Sequence, residues 1–141
     1  MVNETARMQN EIEKGAYGFS RSLEIPFDKV IERVKATLKD EGFGVLTEID
    51  LKAKFKEKLD KEFGEYMILG ACNPNFAFEA LGREMDLGLL FPCNAVVYEK
   101  DGKTVVGLID AVKMMEVTHN PELAEFAGEV NERLKRALDR V

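Results

Sequence analysis

The chain is predicted to fold as a single α/β (α+β) sandwich: a mixed sheet of about five strands, order βαβαβαββα, with a long C-terminal helix packed on the sheet. Three observations carry this. Apolar residues switch repeatedly between a period of two and the helical period, Asp101-Gly102 is a tight hairpin signal, and one apolar stripe runs from Leu123 to Val141. With 141 residues, 45% of them hydrophobic, the chain can fill one core and bury roughly two-thirds of the surface its unfolded form exposes. Residues 16–141 are assigned to this domain, and residues 1–15 to an N-terminal extension with scope for flexibility.

Ala16 to Glu24 alternates Tyr17, Phe19, Arg21 and Leu23 against small or polar residues, the pattern of a strand with one buried face. Phe27, Val30, Ile31, Val34 and Leu38 then recur at helical spacing, and Gly42 is a C-terminal stop, so Pro26 to Asp40 is an amphipathic helix. Phe43 to Ile49 is a second strand. Asp50 can cap a short helix carrying Leu51, Phe55 and Leu59 on one side; its Lys52, Lys54, Lys56 and Lys58 read as a solvated face. Tyr66 to Cys72 is a third strand, apolar enough for burial on both faces.

Asn73-Pro74 reads as an N-cap followed by proline at the first helical position, opening a helix through Leu81 that buries Ala77, Ala80 and Leu81. Gly82, Asp86 and Gly88 mark a loop. Asp101-Gly102 joins the strands Ala95–Lys100 and Lys103–Asp110. Ala111 to Val117 is a helical turn, and Asn120-Pro121 begins a final helix whose stripe, about 30 Å long, lies across the sheet. Alternation of helices and strands suggests some parallel pairing, and the hairpin requires an antiparallel pair.

The net charge of −6 argues against a nucleic-acid partner, which calls for a basic patch. The longest apolar runs are about seven residues, far below the ~20 that cross a bilayer. Residues 1–14 are polar and do not read as a secretory signal, so the expected location is the cytoplasm. Two cysteines are too few for a disulfide scaffold and are expected as thiols.

Phosphate-loop and nucleophile-elbow motifs are missing. His119 is the only histidine and precedes a helix start, which disfavours imidazolium. Glu48 and Asp110 fall at strand ends, where Glu48 reads as solvent-facing and Asp110 as a strand terminator. The informative pair is Cys72 and Cys93, each followed by an asparagine and adjoining a proline, in Gly70-Ala71-Cys72-Asn73-Pro74 and Phe91-Pro92-Cys93-Asn94-Ala95. Their sulfurs are expected to share a cleft. A helix opening at Asn73-Pro74 would lower the pKa of Cys72. Two thiols and a distant histidine cannot close a zinc site unless two subunits each lend a pair.

The segments Gly42–Asp50, Ile68–Pro74 and Gly88–Tyr98 resemble, in order and spacing, the domain of unknown function 302 family, and the likeness covers nearly everything after Tyr17. The resemblance implies a small α/β domain that assembles as a homodimer; it implies no established activity, and the cofactor is unknown. It picks out Glu48, Cys72, Asn73, Pro74, Pro92, Cys93 and Asn94. Early in the third helix, where the family often carries an aromatic or histidine, the chain has Phe78, which leaves no histidine ligand near Cys72, and it departs from the family's pattern at Asp110-Ala111 in place of Asp-Pro.

Three functions remain open. The first is a binding module that takes a small molecule or soft metal ion through Cys72, Asn73, Cys93 and Asn94. The second is a thiol redox enzyme with Cys72 as nucleophile, Cys93 as resolving partner and Glu48 as proton acceptor. The third is a structural or interaction domain with both cysteines in the core.

Overall fold

The computed structural model describes residues 11–141, and its sheet has six strands in the order β1-β2-β6-β5-β4-β3. These are β1 (Glu13–Lys14), β2 (Gly18–Leu23), β3 (Gly44–Asp50), β4 (Tyr66–Cys72), β5 (Cys93–Lys100) and β6 (Lys103–Ile109). Five α-helices accompany them: α1 (Phe27–Asp40), α2 (Leu51–Leu59), α3 (Pro74–Arg83), α4 (Ala111–Glu116) and α5 (Ala124–Asp139). The expected sandwich and element order are present, with α5 packed on the sheet. The added strand, β1, falls within the stretch read as an extension and pairs Lys14 with Phe19; residues 1–10 of that stretch lie outside the described residues.

Every pairing among the described residues is antiparallel, so the parallel pairing suggested by alternation does not occur. Element lengths explain why. A parallel crossover must run back along a whole strand, roughly 23 Å for seven residues, whereas a helix of nine or ten residues rises only about 14–15 Å. Helices α2 and α3 are therefore inserted into antiparallel connections, and α3 lies at the strand ends.

Local signals hold the elements where the sequence puts them. After α1, Gly42 adopts φ +86°, its N–H donates to Lys39 O and the Phe43 N–H to Leu38 O, a Schellman closure that buries Leu38 and Phe43. Asp50 accepts the Ala53 N–H at the start of α2. That helix buries nothing, and three of its four lysines pair with acids: Lys52 with Glu65, Lys54 with Glu57, and Lys56 with Asp60 and Glu62. Asp101 and Gly102 both take positive φ at the β5–β6 turn, as a tight hairpin needs.

The core lies between one sheet face and α1 and α5. Phe19 and Leu23 of β2, Leu69 and Ala71 of β4, Ala95 and Val97 of β5, and Val106 and Leu108 of β6 meet the stripe of α5, buried from Leu123 to Val141 except for half-buried Phe126. Arg21, at a core-facing position of β2, donates to the carbonyls of Leu138, Asp139 and Val141 and so closes the C-terminal end of α5. The other sheet face is less covered: on β4, Gly70 is buried there but Tyr66 and Ile68 are half-buried, short of the two-sided burial expected.

Candidate functional site: a sulfur-lined cavity at the strand ends

Where β4 and β5 meet α3, the ladder places Cys93 opposite Ala71, both pointing to the helical side. Cys72 is the last residue of β4, at the point where the chain turns into α3, and from there it reaches the same space. The two cysteines are half-buried free thiols lining one cavity of about 60 Å³.

Three helices close the cavity. Helix α3 contributes Phe76, Ala77 and Ala80; α4 contributes Ala111, Met114 and Met115; α5 contributes Phe126, Ala127 and Val130. Phe76 and Phe126 meet edge to face at 6.3 Å, with the Arg133 guanidinium 5.3 Å from the Phe76 ring and that of Arg83 4.8 Å from the Phe126 ring. Apart from Asn73, the side chains that line the cavity offer only carbon and sulfur.

Helix α4 is held over the cavity by Asp110. Its carboxylate accepts from the Val112 and Lys113 amides and from Asn131 Nδ2, while Asn131 Oδ1 accepts the Ala111 N–H at 2.7 Å. Burial opposes the charge on Asp110, but the Asn131 hydrogen bond and the two amides outweigh it and depress its pKa. Asp110 is thus more than a strand terminator: it caps a helix and anchors it to α5.

The electrostatics of Cys72 run opposite to expectation. Burial pushes the Cys72 thiol up; burial, together with neighbouring Cys72, pushes Cys93 from 9.0 to about 11. The helix start cannot compensate, because Pro74 has no N–H and the Asn73 side chain already accepts from the Asn75 and Phe76 amides. Asn73 lines the cavity, but its oxygen serves as a cap.

Other residues singled out lie elsewhere. Glu48 sits on β3 and pairs with Lys35 at 2.6 Å, outside the cavity lining. Asn94, one step from Cys93 on its strand, points to the opposite face and lines a separate groove with Tyr17 and Gly107. Pro92 packs its ring over Gly70 on that face and also lines the cavity. His119 is exposed with φ +53°, and Phe78 is 83% exposed. Met114 and Met115 were not expected at the site; their signal was an adjacent thioether pair just after a helix-capping aspartate.

A family model described as "Domain of unknown function DUF302" matches residues 19–141. Among solved structures, the crystal structure of uncharacterized conserved protein DUF302 from Bacillus stearothermophilus is 31% identical, with 89% of this chain and 98% of that chain covered and a TM-score of 0.84. No curated protein matches the chain.

Proposed function

The chain belongs to the family described as domain of unknown function DUF302, and because that membership brings no activity with it, we propose from the site itself that the protein is a binding module for a soft metal ion or a very small apolar molecule. The observation that carries the reading is the joint placement of Cys72 and Cys93 on one apolar cavity of about 60 Å³. That volume holds on the order of four waters, and with so little polar lining it suits a dry guest. Raised thiol pKa values weigh against nucleophilic attack near neutral pH, which needs a standing thiolate, and mean that a metal ion would bind with release of the thiol proton.

The expected homodimer belongs to the same reading. Its candidate surface is the less covered sheet face, where Ile49 and Leu46 are exposed and Ile68, Val96, Tyr66 and Tyr98 half-buried. Two free thiols support the reducing cytoplasm as its location. Among the described residues, no helix is long and apolar enough to cross a membrane.

Native mass spectrometry of freshly purified protein, before and after a thiol-blocking reagent, tests the reading and counts subunits. A bound mass released by blocking supports it. An empty protein that neither Ag(I) nor xenon stabilises against heat overturns it.

A further inference from the structure

We infer that the cavity is a site for a monovalent soft cation of the Cu(I) class, held by the thiols of Cys72 and Cys93 and by the thioethers of Met114 and Met115. The inference rests on the binding-module reading and narrows its ligand. All four sulfur side chains line the same cavity, two from the ends of β4 and β5 and two from adjacent positions of α4. Thiolate and thioether together form the donor set that selects Cu(I), whereas a closed zinc site takes four ligands drawn from cysteine, histidine and carboxylate. Among the described residues, no three such groups come together.

Charge points the same way. The cavity lining offers no carboxylate, so a divalent ion would leave excess positive charge among apolar side chains. A single positive charge bound by one thiolate is neutral, and the second thiol and the thioethers complete its coordination without adding charge. Size agrees as well, since the space suits an atom rather than an organic cofactor. The ion enters as Cu(I) and keeps its oxidation state: a copper–sulfur bond forms as the thiol S–H bond breaks, and the proton leaves to solvent. Met114 and Met115 donate lone pairs and transfer no proton. Asp110 fixes the start of α4 against α5, and with it the helix that carries the two methionines of the lining.

Anaerobic competition for Cu(I) against a chromophoric chelator, with X-ray absorption of the bound ion, tests this on the full chain. Wild type should bind one Cu(I) per chain in an all-sulfur shell. The double variant Met114→Leu/Met115→Leu, which conserves volume and keeps the fold, should bind about tenfold or more weakly with fewer sulfurs. Cys72→Ser/Cys93→Ser should abolish binding. Unchanged affinity and sulfur count in the methionine variant would overturn the inference, as would preference for Zn(II). If xenon stabilises the protein but Cu(I) does not bind, the inference fails and the binding-module reading stands; if neither binds, both fail.

Discussion

Asn131 of α5 donates its side-chain N–H to the Asp110 carboxylate at 2.8 Å and takes the Ala111 N–H on its own oxygen, so one residue pair joins the last strand, α4 and the C-terminal helix. Both residues are buried, Asp110 at 2% exposure. Removing Asn131 leaves a buried carboxylate short of a donor and a buried amide short of an acceptor, and each loss carries a penalty of about 1–3 kcal/mol.

Asn131→Ala is therefore expected to lower unfolding free energy by about 2–4 kcal/mol in urea at pH 7. A cost below ~0.5 kcal/mol would show that the lock is not structural. The pH dependence follows from the depressed Asp110 pKa. A carboxylate held below its unfolded value contributes stability that is fully present above the unfolded pKa, near 3.8, and is lost as pH falls through the folded pKa. Asp110→Asn should flatten the acid limb of the stability profile below about pH 4 and leave the neutral-to-alkaline slope unchanged.

Gly70 has a different constraint. A Cβ at this position would lie 2.8 Å from Pro92 Cγ and against the Thr47 hydroxyl. Thr47 can rotate, but the proline ring is fixed between Phe91 and Cys93, so Gly70→Ala must displace the β4–β5 junction on which the cavity is built. A loss of about 1–3 kcal/mol is expected, together with faster alkylation of Cys93 as the junction loosens. Stability within ~0.5 kcal/mol of wild type would show that the proline yields without strain.

Which features were legible in the sequence follows from how local their causes are. Asn73-Pro74, Asp50 and Asp101-Gly102 act within three or four residues, and each produces the cap or turn its chemistry dictates. Strand pairing is non-local, so β2 and β3, joined directly by α1, lie four strands apart in the sheet. The two-residue β1 is too short to show periodicity. Cys72 and Cys93 were visible as a pair because both sit where an apolar run meets a proline. Met114 and Met115 were not, because a six-residue helix has too few turns to reveal which side chains converge on a distant strand end. The sign of the Cys72 shift is hidden for a related reason: its desolvation comes from burial in the folded chain, while the helix start that suggests a lowered pKa is already capped by its own Asn73.

The raised Cys93 pKa gives an alkaline signature. A thiol whose folded pKa lies above its unfolded value contributes stability that is complete below the unfolded pKa and is lost as pH rises through the folded one, here between 9.0 and about 11. Chemical denaturation across this range should show wild type losing stability more steeply than Cys93→Ala. Parallel slopes would mean that the thiol is already solvated. In the native protein Cys93 should alkylate more slowly than free cysteine at pH 8, with a rate still climbing above pH 10.

Filling the cavity separates binding from folding. Ala77 lies on α3 at the cavity wall and is half-buried, so a larger side chain can enter the space without displacing the sealed core around Leu69 and Leu134. Leucine is also nearly as good a helix former as alanine. Ala77→Leu should therefore hold its melting temperature within a few degrees of wild type, a change of about 1 kcal/mol or less, while excluding any guest. Stabilisation by xenon and retention of Cu(I) should both disappear in this variant. If either persists at wild-type strength with the fold intact, the guest binds elsewhere, and the joint placement of Cys72 and Cys93 is a feature of packing alone.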